Sequence, residues 1–204
     1  MPRMGLTPDK VVASAITLAD TDGLEAVSLS VLADSLGVRV PSLYKHVDGL
    51  PDLQRRMAAE GMSSLASALD RAAEGPRNRD ALVSIAQAYR RFARIHRGQY
   101  QALIRPLKAG EDEVEPAQRI IDLMTRVVGD YKLGGDDAVH AVRGVRAALH
   151  GFVLLEAAGG YGHSATVEAS FYSMVAMLDR GLAGWSQPGK SNGGLLNTLR
   201  RPLW

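Results

Sequence analysis

The stretch GLEAVSLSVLADSLGVRVPSLYKHVDGLPDL, residues 23–53, holds two short helical patterns on either side of one glycine. Ser28 can cap a helix from Leu29 to about Leu36, whose Leu29, Leu32, Ala33 and Leu36 fall on one face. Gly37 supplies the turn. A second short helix runs from about Val40 to His46, and Pro41 is tolerated in its first turn because no N–H is needed there. The spacing leaves Ser42, Lys45 and His46 outward and turns Leu43 and Val47 to the core. Two short helices joined in this way and packed on a longer one form a helix-turn-helix, a shape that the major groove of DNA admits.

The longer helix lies just upstream. Thr7 followed by Pro8 is a helix start, and Val11, Val12, Ala15, Leu18 and Ala19 recur at helical spacing until Asp22-Gly23 ends the run. Downstream, Asp48 is the natural cap of a long fourth helix, about Gly49 to Glu74, with Leu53, Met57 and Leu65 on its buried side. Five more helical segments follow: about 79–96, 99–104, 114–131, 136–158 and 165–182, with a polar loop over 108–112. Every long segment has the helical period and none alternates like a strand. The prediction is an all-α chain of about nine helices. Residues 1–48 form a three-helix DNA-binding domain, joined through the long fourth helix to a helical regulatory and dimerisation domain at 49–184. Residues 185–204, rich in Gly, Asn and Ser and carrying Arg200 and Arg201, are read as a flexible tail.

With 204 residues, 46% of them hydrophobic, the chain can bury a sizeable core. It has no cysteine, which excludes disulfides, thiolate metal sites and cysteine nucleophiles. No unbroken apolar run reaches the length of a membrane span, and the N-terminus lacks the basic-then-apolar order of a signal peptide. A cytoplasmic protein with no membrane partner is the expectation. Charge says little: the formal net value is +2, yet residues 1–50 set Arg3, Lys10, Arg39 and Lys45 against six carboxylates, leaving −2. DNA binding therefore requires the few cations and helix N-termini to gather on one face.

Tyr44 has an aromatic ring and a phenolic hydroxyl near the outward surface of the second short helix. The hydroxyl can reach a phosphate while the ring packs on thymine methyls or sugar. The same ring could serve packing alone, His46 could pack against the start of the fourth helix, and Lys45 could be a solvated cation. At this point a resemblance becomes specific. Leu32-Ala33, Leu36-Gly37-Val38, Leu43-Tyr44, His46, the apolar residue at 47 and Leu53 resemble the DNA-binding domain of the TetR/AcrR family. The resemblance implies that residues 40–46 enter the major groove. It also implies that Ser42, Tyr44, Lys45 and His46 touch bases or phosphates, and that Ser28 holds a phosphate. Two positions depart from the family pattern. Arg39 replaces the usual small polar cap, keeping a possible phosphate contact but giving up the capping bond. Leu50 replaces the usual lysine at the start of the fourth helix.

YKLGGDDAVHAVRGVRAALHGFVLLEAAGGYGH, residues 131–163, followed by Phe171, resembles the C-terminal domain of the TetR subgroup named for its tryptophan-His-Gly segment. Leu149-His150-Gly151-Phe152 stands there, with leucine in place of the tryptophan. The resemblance implies a homodimer built from the last two long helices. Val142, Val145 and Leu149 are the candidate interface residues of one, and Phe171, Met174, Val175, Leu178 and Leu182 those of the other. Gly144 and Gly151 permit close helix contact. It also implies an effector pocket among the fourth to eighth helices. Candidate lining residues are Met57, Tyr89, Phe92, His96, Tyr100, Leu103, Met124, His150 and Phe152, each of which could equally be core.

An enzyme is the weaker reading. His96, His140, His150 and His163 have no recognised ligand or acid–base spacing, and HExxH, a phosphate-binding glycine loop and a nucleophile elbow are absent. No metal or cofactor is expected. The reading is a ligand-responsive repressor that binds a palindromic operator as a homodimer and is released by a small hydrophobic or amphipathic effector. The alternative within the same family is a constitutive DNA-binding regulator without ligand response.

Overall fold

A computed structural model describes residues 5–75, 77–104 and 111–185, with the side chains of 111–114 left out. The expected tail from 186 on, and most of the polar loop at 108–112, lie outside the described residues. Among the described residues the chain is all-α, as its periodicity predicts. The helices are α1 (Pro8–Asp22), α2 (Leu29–Ser35), α3 (Val40–Leu43), α4 (Leu50–Ala72), α5 (Asn78–Ile95), α6 (Arg97–Ile104), α7 (Glu111–Gly129), α8 (Gly135–Ala157) and α9 (Val167–Ala183). A 3₁₀ turn at Leu24–Ala26, which the sequence reading missed, links α1 to α2.

Side-chain capping bonds start α1, α2 and α9. Thr7 caps α1 by accepting the Lys10 N–H at 3.3 Å, and Pro8 follows it. Ser28 caps α2 by accepting the Val31 N–H at 3.2 Å. Thr166 does the same for α9 through the Ala169 N–H. The start of α4 differs from expectation. Gly49, at φ +93°, is the cap residue, and Asp48 stands one residue outside it. The carboxylate that matters is Asp52, in the first turn, which reaches back to accept the Asp48 N–H at 3.0 Å.

The chain divides into two compact units. Of the described residues, the first comprises 5–75, 84–104 and 111–123, so α4, α6, most of α5 and most of α7 cluster with the helix-turn-helix. This does not follow the 48/49 boundary expected from the sequence, because the core of the head reaches past it. Val11, Ala15, Ala19, Leu24, Val27, Leu32, Ala33, Leu43 and Val47 are buried together with Leu53 and Met57 of α4 and Ala102 of α6. Leu50, where the family pattern has lysine, is half-buried against the same cluster. α6 sits close against α1. A Cβ on Gly98 would fall inside the Ala19 backbone, so only glycine lets the two helices approach this closely.

Of the described residues, the second unit comprises 77–83 and 124–185. Within it α8 and α9 pack on each other, with the rings of Phe152 and Phe171 edge to face at 5.2 Å. The Tyr131 hydroxyl donates to Asp179 at 2.7 Å, tying the segment after α7 to α9. Burial and then the Asp179 carboxylate push the Tyr131 hydroxyl well above the usual phenol range. By length and composition α8 is apolar enough to cross a membrane, although no unbroken apolar run marks it in the sequence. Only 33% of its most apolar 18-residue stretch is buried inside the chain, and Val139, Leu154 and Leu155 are exposed.

Two glycines separate steric from conformational cost. At Gly98 an added methyl must push α1 away, whereas Gly37, at φ +63°, has open space around its missing Cβ and needs only the left-handed backbone. Gly98→Ala is expected to destabilise the first unit by about 1–3 kcal/mol or more. Gly37→Ala should cost about 1 kcal/mol. Urea midpoints of the two variants, followed by circular dichroism, check the order.

Candidate nucleic-acid interface

The recognition segment is shorter than its sequence pattern suggests. α3 spans Val40–Leu43, and residues 44–46 form a turn in which the His46 N–H reaches the Leu43 carbonyl at 2.8 Å. Arg39 occupies the cap position and makes no side-chain capping bond, as its chemistry requires. With no side-chain cap at Arg39 the helix is short, and the turn after it closes with the Val47 N–H on the same Leu43 carbonyl at 3.1 Å.

Two buried side chains, Leu43 and Val47, anchor this segment in the head. Between them Tyr44 is 58% exposed and Lys45 is exposed, while Ser42 and His46 are half-buried. Arg39 is exposed one turn before Leu43. Ser28 is half-buried at the start of α2; its hydroxyl oxygen is engaged with Val31, and its hydroxyl hydrogen can still be donated outward. The residues singled out for DNA contact therefore divide into an exposed set, Arg39, Tyr44 and Lys45, and a half-buried set, Ser28, Ser42 and His46.

The first turn of α4 adds a charge cluster that the sequence reading did not find. Asp52 accepts from Arg55 Nη2 at 2.7 Å and Arg56 Nε at 2.9 Å, besides the Asp48 N–H. Burial alone pushes the Asp52 carboxyl up. The Asp48 N–H, the Arg55 hydrogen bond and the two guanidinium charges outweigh it and hold the carboxyl below the usual carboxylate range. The i, i+3 and i, i+4 spacing of Asp52, Arg55 and Arg56 was the available signal.

The candidate effector residues fall into separate groups. In the first unit, Tyr89 and Tyr100 are buried with their hydroxyls 2.9 Å apart and their rings nearly perpendicular. Phe92 is buried with its ring 5.0 Å from that of His96. His96 faces Asp20 of α1, with Nδ1 at 3.3 Å from Oδ2. Leu103 is half-buried, and Met57 is fully buried in the core of the head. Two buried polar residues here, Arg90 and Gln99, were not foreseen. Arg90 does interrupt the apolar run Ile85, Ala86, Tyr89, Phe92 and Ala93, a signal that could have marked it. In the second unit, Met124 and Phe152 are buried, the latter stacked 4.8 Å from Tyr161. His150 is half-buried there, and burial followed by the Arg146 charge holds its imidazole below the usual range.

Five of the eight residues expected to meet a second subunit are buried by the chain itself. Val145, Leu149, Phe171, Val175 and Leu182 are each at most 4% exposed, and Val142, Met174 and Leu178 are half-buried. The exposed apolar residues of α8 and α9 are others: Val139, Leu154, Leu155, Tyr172 and Met177. Both helices carry apolar residues on two faces, and periodicity alone selected the inner one. Among the described residues no group of three or more His, Asp or Glu is placed to hold a metal ion.

Comparison with known proteins agrees with this architecture. A family model described as the tetracyclin repressor-like C-terminal domain matches residues 82–178. An uncharacterized HTH-type transcriptional regulator of Mycobacterium tuberculosis is 36% identical over 179 residues, which are 87% of this chain and 82% of the relative. Among solved structures, a protein of unknown function from Rhodococcus superposes with a TM-score of 0.76 at 28% identity, covering 90% of this chain and 99% of that one. A TetR from Acinetobacter baumannii in complex with minocycline shares the fold at 23% identity, with a TM-score of 0.66 over 87% of this chain and 96% of that one.

The Asp52 cluster predicts a pH dependence with a definite sign. Its carboxyl is depressed in the folded state, so its contribution is complete above the ordinary value of 3.8 and is lost as pH falls through the folded value. Asp52→Asn should destabilise the protein at pH 6, and its deficit relative to wild type should shrink as pH is taken below 4. Urea titrations of both proteins across that range measure the gap.

Proposed function

Because the chain belongs to the TetR family of helix-turn-helix transcriptional regulators, we propose that it is a ligand-responsive repressor that binds a palindromic operator as a homodimer. The observation that carries this reading is the segment between Leu43 and Val47, where two buried anchors present Tyr44 and Lys45 to solvent beside Arg39. Cations and hydroxyls of that kind grip phosphates, and the ring of Tyr44 reaches sugar or thymine methyls. Ser28, Ser42 and His46 contribute at shorter range. A protein with this task works in the cytoplasm, where the operator is.

The second copy is proposed to cover the outer face of α8 and α9. Gly144, Ala147, Gly151, Leu154 and Leu155 fall on one strip of α8, and Ala169, Tyr172, Ala176 and Met177 on one strip of α9. Met177 is 59% exposed and Leu155 52%, and the missing Cβ atoms of Gly144 and Gly151 face open space. A smooth apolar strip on a pair of long helices is what a four-helix contact between two subunits needs. Such an isologous contact sets two recognition segments about one DNA turn apart, which is the reason for a palindrome.

The effector is proposed to be small and hydrophobic or amphipathic. Support comes from the buried aromatic group of Tyr89, Phe92 and Tyr100, with its paired hydroxyls, and from the minocycline complex of the Acinetobacter neighbour. Release follows from linkage: the effector favours the conformer with the lower operator affinity by its own difference in affinity for the two. Selecting bound sequences from a random DNA pool, then titrating the winner against a compound library by anisotropy, tests the whole reading. A palindrome released by one compound is the expected result; a palindrome that nothing releases would remove the ligand response.

Two substitutions test the parts. Tyr44→Ala should weaken operator binding at least ten-fold, about 1.4 kcal/mol, while leaving the dimer intact. Unchanged affinity in that variant would remove Tyr44 from the interface. Leu155→Glu combined with Met177→Glu should give a helical monomer in sedimentation velocity and weaken operator binding with it. A double variant that still sediments as a dimer would place the subunit contact elsewhere.

A further inference from the structure

We infer that Val31 reads a thymine methyl group in the operator, so that the head recognises its A·T pairs through thymine and not through adenine. The inference rests on the DNA-binding reading above and specifies what that surface recognises. No Asn or Gln occurs before Gln54, so the head lacks the amide side chains that pair bidentately with adenine. Its exposed hydroxyls, such as Ser30, bond to either kind of base and discriminate weakly. Carboxylates such as Asp34 suit cytosine, which leaves two chemistries for the other bases. The cations Arg39 and Lys45 suit guanine, and exposed apolar groups suit the methyl of thymine.

Among described residues 5–75 the large hydrophobic side chains left exposed are Val31, at 43%, and Tyr44, at 58%. A lone exposed valine ordinarily needs no explanation. Here it stands on the outward strip of α2, the helix that packs on α3, and the core face of α2 is already supplied by Leu32 and Ala33. The Val31 N–H is bonded to Ser28, which fixes the backbone and leaves the side chain as the free element.

The test uses the full-length protein and the operator selected from a random pool, with each thymine of a half-site replaced singly by deoxyuridine. Only a methyl group is removed. Wild type is expected to lose about four-fold in affinity at the thymine that Val31 meets, the value of one buried methyl. Val31→Ala should bind the two DNAs equally at that position, with methyl effects at other positions preserved. Val31→Thr, which keeps one methyl, should retain part of the difference. Alanine is the better helix former at this exposed site, so the variant folds. An unchanged thymine-to-uracil penalty at every position in Val31→Ala, or no thymine whose methyl matters to wild type, would overturn the inference. A folded protein that enriches no DNA sequence would overturn the DNA-binding reading, and this inference with it.

Discussion

Asp20, near the end of α1, is the point on which the first unit turns. One carboxylate oxygen accepts the Gln99 N–H at 3.0 Å, and the other faces His96 Nδ1 at 3.3 Å. A helix begins with N–H groups that its own carbonyls cannot reach, and α6 borrows a carboxylate from a helix 79 residues away in sequence to satisfy one. Immediately beside this cap, Gly98 lies against Ala19 with no room for a side chain. A polar cap and a close apolar contact thus coincide at one place. α6 also packs on α4, and its Ala102 enters the core of the head. The helix-turn-helix is therefore not a detachable module: α4 and α6 complete its core, and α6 cannot shift without straining the Asp20 cap.

The same bond bears on how a head with net charge −2 can face DNA. Net charge counts carboxylates wherever they point, whereas a phosphate responds to those nearby. Of the six carboxylates in that count, Asp20 is engaged with α6. Arg39 and Lys45 remain exposed on the recognition segment. What a composition reads as acidic is, residue by residue, a surface that presents Arg39 and Lys45 and has one of its acids committed elsewhere.

α8 and α9 show the opposite case, where pattern was rich and still insufficient. Residues at i, i+3, i+4 and i+7 define an apolar face, and both helices have two such faces. Phe171 and Leu149 lie on the one that closes within the chain, and Met177 and Leu155 on the one that does not. Nothing in periodicity distinguishes a stripe that meets its own neighbour from one that meets another subunit, since both bury apolar area for the same free energy. Apolar residues on both faces give α8 the length and apolarity of a membrane span, with a third of its most apolar stretch covered by its own chain.

Local chemistry was legible in the sequence wherever one residue decides the outcome. Thr7-Pro8 starts α1, Gly23 ends it, Ser28 caps α2 and Gly37 makes the turn, because capping bonds and left-handed backbone depend on side chains a few residues apart. The order of apolar residues from Leu32 to Leu53 was enough to identify the helix-turn-helix and its family. Long-range pairing decided the rest. That Asp20 caps α6, that Met57 completes the head and that Val145 and Leu149 turn inward depends on which helices meet. That choice is made by the sum of packing over the whole chain, a quantity no window of sequence contains.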